Sequence, residues 1–132
     1  MTSQVVCDAS ALDALLLDGG TDGQWTTSAL TGVSMAAPSL LTFEVANIIR
    51  RFEIAGTVSP DQASQAHDDL VGLTIEFWPY ELLLPRVWEL RHNLSSYDAS
   101  YVALAELIQV SLVTLDSRIA RAPGVRCVVT TR

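Results

Sequence analysis

Short apolar runs alternate along this chain with longer segments in which apolar residues recur every three or four positions. The runs occupy residues 4–7, 33–37, 74–78, 112–115 and 125–130. Runs of this length without a polar face are typical of strands in the interior of a parallel sheet. The pattern therefore predicts a sheet of four to five strands, most of them parallel.

Helix signals fill the segments between these runs. Ser10 and Ser39 lie where N-caps are expected, and the helix after Ser39 extends to about residue 55. Four apolar residues of that second helix recur at the spacing of one buried face: Leu41, Val45, Ile48 and Phe52. Both helices are therefore expected to pack on the sheet.

Further helices are predicted over residues 59–73, 81–91 and 117–121, and from a cap at Ser95 or Ser96 to about residue 108. Residues 24–31 fit either a short helix or a loop. Strands that alternate with helices in this way form a sheet covered on both faces. The predicted fold class is α/β, a three-layer α/β/α sandwich.

Four carboxylates fall at one predicted edge of this sheet. Asp8 and Asp116 end the first and fourth strands, and Glu44 and Asp98 lie near the starts of helices. In doubly wound sheets this edge is where ligands bind. Converging carboxylates repel one another, so they need a cation, and Mg2+ or Mn2+ suits oxygen ligands. The chemistry that such a site supports is metal-assisted hydrolysis of a phosphodiester.

Each acid also has a purely structural interpretation. Asp98 could only stabilise the start of its helix, and Asp116 could only cap the helix that follows it. Glu44 could be a solvated helix residue, and Asp8 could be a turn residue after its strand. Their joint position at one edge is what favours a functional site.

Two other protein classes place acids at strand ends. A receiver-type signalling domain needs a Lys near its last strands, and this chain contains no Lys. A phosphohydrolase with an Asp-x-Asp motif on its first strand needs a second Asp where this chain has Ser10. Both classes fit less well than a metal-dependent nuclease.

Composition and charge modify this picture. The 132 residues are 49% hydrophobic and 17% charged, which fits a single domain over residues 1–132. The net charge of -7 argues against nucleic-acid binding unless several acids hold cations. All eight basic residues are Arg, and Arg118 and Arg121 could hold phosphate groups beside the acids.

The cellular compartment and the surfaces for protein partners are indicated less strongly by the sequence than the acidic site. Cys7 and Cys127 lie in separate apolar runs, which predicts a reduced, cytoplasmic protein more than a disulfide framework. Neither a signal peptide nor an apolar stretch near the ~18 residues of a membrane span is recognised. The apolar residues at 82–84 and Trp88 fit either the core or a dimer or partner surface.

Four motifs follow one another along the chain. They are Asp8-Ala9-Ser10 after an apolar strand, residues 38–47 with Glu44 and Asn47, the block YDASYVALA at residues 97–105, and Leu115-Asp116-Ser117-Arg118. In this order they resemble the PIN-domain ribonucleases of the VapC toxin type. The resemblance covers essentially the whole chain.

The resemblance implies a PIN-like fold and a hydrolase that cleaves single-stranded or looped RNA. Such a protein is the toxin of a toxin–antitoxin pair and inhibits translation. The resemblance implies one catalytic, metal-binding set: Asp8, Glu44, Asp98 and Asp116. The cofactor would be Mg2+ or Mn2+, and Ser10 and Asn47 would orient the carboxylates.

The resemblance also bears on partners and on a second metal ion. It implies a homodimer and a cognate antitoxin that covers the active site. Some members carry a further acid just after the last one, and this chain has Ser117 and Arg118 there. The alternative is a PIN-like protein-binding module without catalysis, whose acids are structural. Binding of Mn2+ distinguishes the two, because ligands stabilise only a fold that binds them.

Overall fold

Five strands form one sheet within residues 3–132, the part of the chain that the computed structural model describes. They are β1 (Ser3–Cys7), β2 (Val33–Pro38), β3 (Ile75–Trp78), β4 (Leu112–Val113) and β5 (Val129–Thr130). Their order is β3-β2-β1-β4-β5, and every pairing is parallel. The predicted α/β fold is therefore confirmed. Residues 1 and 2 of the predicted domain lie outside the described residues.

Seven helices and a short 3-10 turn connect these strands within residues 3–132. The helices are α1 (Ala9–Leu17), α2 (Thr21–Leu30), α3 (Leu41–Ile54), α4 (Pro60–Gly72), α5 (Leu84–Glu89), α6 (Ser96–Leu107) and α7 (Ser117–Arg121). The 3-10 turn spans Tyr80–Leu82. None of the helices in this part of the chain has the length and apolar character needed to cross a membrane.

The direction in which successive strands are added reverses beside β1. Strands β2 and β3 lie on one side of β1, whereas β4 and β5 lie on the other. Right-handed crossovers therefore place α1 to α4 on one face of the sheet and α5 to α7 on the opposite face. The carboxyl ends of β1 and β4 border the crevice where ligands bind in folds of this type.

Helix α6 is buried over most of its surface. Every residue from Ala99 to Ala105 is buried, because α6 packs against β1, β2, β4 and α5. A helix that is apolar all round is expected to lie in the core of a protein. This packing fixes the position of the first turn of α6, which carries Asp98.

Two predicted helix caps were wrong. Asp8, not Ser10, caps α1, and its carboxylate accepts a hydrogen bond from the Ala11 amide at 3.0 Å. The reason is that β1 ends at Cys7, so the chain already turns at Asp8. Ser39 does not cap α3 either, because its amide and its hydroxyl both donate to the carbonyl of Trp78, the last residue of β3.

The predicted buried face of α3 was only partly correct. Leu41 and Val45 are buried, but the face continues through Ile49. Ile48 is only partly buried, and Phe52 is 37% exposed. The residues at a spacing of four align because α3 packs against both α1 and α4 along one stripe.

Several boundaries also differ from the predictions. Strands β4 and β5 have two residues each, since their shared pairing covers only that length. The helix expected over residues 81–91 is divided into the 3-10 turn and α5, because Pro85 lacks an amide hydrogen and starts a new helix. Residues 24–30 of the segment that fitted either a short helix or a loop belong to helix α2, and Thr31 is its C-cap. Gly23 is needed there, because a Cβ would collide with the Asp18 carbonyl oxygen.

Candidate active site

Asp8 occupies the centre of the edge formed by the carboxyl ends of the strands. It follows β1 and is only 5% exposed. Its Oδ1 accepts hydrogen bonds from the Ser10 hydroxyl at 2.6 Å and the Ala11 amide at 3.0 Å. Its Oδ2 accepts one from the Thr114 hydroxyl at 2.5 Å. Both carboxylate oxygens are thus held in one orientation.

Thr114 joins the ends of β1 and β4. The residue is fully buried, and its hydroxyl donates to Asp8 and accepts from the Asp116 amide at 2.9 Å. The Ser10 hydroxyl lies 3.2 Å from that of Thr114 and accepts from the Leu115 amide at 3.0 Å. Thr114 was not among the predicted site residues, although its hydroxyl within the otherwise apolar run before Asp116 was a signal in the sequence.

Glu44 lies in the first turn of α3 and is bound to a residue of α6. The Tyr101 hydroxyl donates to Glu44 Oε1 at 2.5 Å, and the Tyr101 side chain is 1% exposed. This hydrogen bond connects the helices of the two faces at the edge of the sheet. Sequence analysis included Tyr101 in a motif without giving it a role, because its partner is 57 residues away.

Asp98 lies in the first turn of α6, where its amide donates to the Ser95 hydroxyl at 3.1 Å. Burial raises the pKa values of Asp8, Glu44 and Asp98. The charge of Asp98 raises the pKa values of Asp8 and Glu44 further, and that of Asp116 raises the pKa of Asp98. The four carboxylates therefore act on one another through their charges.

Asp116 differs from the other three acids because a cation is already paired with it. It caps α7 and accepts from the Arg118 amide at 3.0 Å. The Arg118 guanidinium also donates to both carboxylate oxygens, with Nη2 at 2.6 Å from Oδ2 and Nε at 3.0 Å from Oδ1. This pairing lowers the pKa of Asp116. Arg118 itself is 77% exposed, so the ion pair is open to solvent.

Two other predicted residues lie apart from these contacts. Asn47 is exposed on α3, and no hydrogen bond within residues 3–132 joins it to a carboxylate of the set. Arg121 is exposed at the end of α7, and its charge contributes to the lowered pKa of Asp116. The roles of both residues stay predictions.

The oxygen donors at this edge suit a divalent cation in their chemistry. Within residues 3–132, no three His, Cys, Asp or Glu side chains stand close enough to form a complete metal cage. The carboxylates of Asp8, Glu44 and Asp98 nevertheless have the chemistry that Mg2+ and Mn2+ prefer. Burial is the largest cause of their raised pKa values and the charge of a neighbouring acid raises each of them further, so a bound cation would offset both effects. These residues therefore fit such an ion chemically.

Comparisons with known proteins agree with this architecture. The family model of the PIN domain matches residues 5–125. Ribonuclease VapC1 of Mycobacterium tuberculosis is 38% identical over 125 residues, which are 94% of this chain and 94% of that protein. Ribonuclease VapC9 of the same organism is 36% identical over 126 residues, which are 96% of each chain.

Solved structures show the same fold. The crystal structure of PAE2754 from Pyrobaculum aerophilum has a TM-score of 0.68 at 25% identity and covers 96% of this chain and 83% of that chain. That of Mycobacterium tuberculosis VapC20, a Sarcin-Ricin loop cleaving toxin, has a TM-score of 0.66 at 16% identity and covers 89% and 93%. The sheet order, the matched family and the identity to VapC proteins agree, so the chain belongs to the PIN-domain family, among the VapC ribonucleases.

Proposed function

We propose that this protein is the toxin of a toxin–antitoxin pair, an endoribonuclease that hydrolyses phosphodiester bonds of RNA and so inhibits translation. The observation that carries the proposal is the position of Asp8, Glu44 and Asp98 at one edge of the sheet, where the charge of Asp98 raises the pKa values of the other two. The names of the relatives VapC1 and VapC9, both ribonucleases, support it.

The proposed cofactor is Mg2+ or Mn2+, held by Asp8, Glu44 and Asp98. Such an ion, when bound, lowers the pKa of a coordinated water and stabilises the charge that develops on a phosphodiester. The residues of this chain orient the ligands. Ser10 and Thr114 hold the Asp8 carboxylate, and Tyr101 holds one oxygen of Glu44.

Asp116 and Arg118 are proposed to act together at the margin of this site. Asp116 would be a fourth ligand for such an ion if its carboxylate were turned away from the Arg118 guanidinium with which it is paired. The Arg118 guanidinium would then be free to bind a phosphate of the RNA through parallel hydrogen bonds, as it binds a carboxylate. Arg121, on the same short helix, is proposed to contact RNA phosphate as well.

The proposed partners are a cognate antitoxin and a second copy of the chain. The solved VapBC2 complex from Rickettsia felis, bound to a promoter DNA fragment, has a TM-score of 0.67 and supports an antitoxin partner by fold alone. Leu83 is buried in the core, whereas Leu82, Leu84 and Trp88 are exposed and suit a protein interface. Cys7 and Cys127 are free thiols, which suits the cytoplasm as the proposed compartment.

The test is cleavage of a mixed pool of structured RNAs in Mg2+ or Mn2+. Wild type is compared with the Asp98→Asn variant and with a sample that contains a chelator. We expect cleavage only by wild type in the absence of chelator. Cleavage that persists in the chelator would contradict the metal-dependent reaction.

One observation favours a second candidate, a protein-binding module whose acids are structural. Asp8 and Asp116 both cap helices, and Arg118 neutralises Asp116. This candidate predicts that Mn2+ does not raise the melting temperature and that no RNA is cut. Stabilisation by Mn2+ that Asp98→Asn abolishes would exclude it.

A further inference from the structure

An apolar pocket lies beside the acids, between the starts of α3 and α6. It has a volume of about 280 Å³ and is lined by Pro38, Ser39, Leu40, Tyr80, Ser96 and Tyr97. Pro38 ends β2, and Tyr80 closely follows β3, so the pocket lies at the edge formed by the carboxyl ends of the strands. Tyr97 immediately precedes Asp98 in the first turn of α6.

The lining combines aromatic rings with neutral polar groups. Tyr97 is 63% exposed and Tyr80 is 42% exposed, although large apolar side chains are usually withdrawn from water. Among residues 3–132 no charged side chain lines this pocket, although it lies at the same edge of the sheet as the acids and the net charge is -7. The Ser39 hydroxyl donates its hydrogen to the Trp78 carbonyl oxygen, so the hydroxyl oxygen can still accept a hydrogen bond.

We propose that this pocket binds one unpaired base of the RNA, next to the phosphodiester that the acids cleave. The inference rests on the proposed ribonuclease function and adds a base-binding subsite to it. Aromatic side chains stack on unpaired bases of any sequence, and a base is the uncharged, flat part of a nucleotide. The phosphates would lie outside the pocket, near the acids and Arg118.

The size and place of the pocket favour a base over a protein partner. Its volume is below the roughly 300–1,000 Å³ of sites for drug-sized ligands, which suits one planar ring system. A stable protein interface covers about 800 Å² of each partner, far more than this recess offers. RNA bound for cleavage must pass beside Asp98, which is one residue from the pocket.

The experiment uses a single-stranded RNA that wild type cleaves, found in the mixed pool and prepared with an abasic nucleotide at each position in turn. We expect one position near the cleaved bond at which loss of the base lowers kcat/KM by roughly fivefold to hundredfold, the range of one base stacked on an aromatic ring. In Tyr97→Ala that penalty should disappear, because the stacking partner is already absent. Tyr97→Phe should retain it.

The matched control is Phe77→Ala, which removes an exposed aromatic side chain of β3 outside the pocket. It should leave the abasic penalty as in wild type. The same penalty in wild type and Tyr97→Ala, or none at any position, would overturn the base-binding subsite. So would a Tyr97→Ala variant that loses dimerisation or antitoxin binding while its kcat/KM is unchanged. Failure of wild type to cleave any RNA would be seen before the abasic series and would count against the ribonuclease function itself.

Discussion

Asp8 and Asp13 lie close together in the sequence, but their carboxylates differ in their hydrogen-bond partners. Hydrogen bonds from Ser10, Thr114 and Ala11 lower the pKa of Asp8 and partly offset the effect of burial, which raises it. Asp13 lies one turn further along α1, and its buried Oδ1 has no hydrogen-bond partner within residues 3–132. Burial raises the pKa of Asp13 to about 7, and the charge of Asp8 adds to this effect.

Asp13 should therefore make the stability of the protein depend on pH. Between pH 3.8 and about 7 the folded chain retains a proton that the unfolded chain loses, so the free energy of unfolding falls as the pH rises. Asp13→Asn should remove this loss and be more stable than wild type at pH 7 by about 1–2 kcal/mol, since the partly open side chain is screened by solvent. Urea unfolding in chelator at several pH values measures the difference.

The control for Asp13 is Asp68→Asn, which changes an exposed acid on α4. This variant should follow the pH dependence of wild type. If Asp13→Asn also follows it, the Asp13 carboxylate does not carry the effect.

At the scale of elements, the edge of the sheet depends on short polar connections between segments that are distant in sequence. Thr114 connects the end of β4 to Asp8 at the end of β1 and to Asp116 at the start of α7. Tyr101 connects α6 to Glu44 on α3. Together the two connections hold Asp8, Asp116 and Glu44 at this edge.

Replacement of Thr114 by Val should loosen this edge without a change in volume. The hydroxyl that donates to Asp8 and accepts from the Asp116 amide would be lost inside the protein. We expect the free energy of unfolding to fall by about 1–3 kcal/mol, the cost of buried polar groups left without partners. Chemical unfolding measures this change, and RNA cleavage should fall with it because Asp8 is no longer held.

Thr114→Ser is the matched control, since it keeps the hydroxyl and removes only a methyl group. It should lose less stability than Thr114→Val and retain cleavage. Equal losses in the two variants would assign the effect to packing of the methyl group instead of the hydrogen bonds.

At the scale of the whole molecule, exposed apolar side chains cluster on the 3-10 turn and α5. Leu82 is 55% exposed, Leu84 is 48% exposed and Trp88 is 60% exposed. Arg91 lies over the Trp88 ring, 4.9 Å from its centroid, and covers only part of it. Exposed apolar surface of this kind usually marks a protein contact.

We expect this surface to contribute to the proposed homodimer. Light scattering at rising protein concentration should show a dimer for wild type and a shift towards the monomer for Leu84→Ser combined with Trp88→Ser. Val71→Ser, on the exposed side of α4, is the control and should leave the mass unchanged. A wild-type protein that stays monomeric at high concentration would contradict the homodimer.

The sequence by itself determined the alternation of strands and helices and the positions of Asp8, Glu44, Asp98 and Asp116 along it. Apolar runs report burial on both faces, and caps and helix breakers act within a few residues, so both can be recognised locally. The motifs around these acids also carried the resemblance to the PIN-domain family, to which the chain belongs.

Only the tertiary structure decided which side chains contact the acids. Thr114 and Asp8 are 106 residues apart, and Tyr101 and Glu44 are 57 apart, so no local pattern could pair them. The same holds for the pocket between Pro38 and Tyr97, which exists only because two crossovers bring β2 and the start of α6 to one edge. Local chemistry fixes where each residue stands along its element, but the packing of elements against one another decides which residues meet.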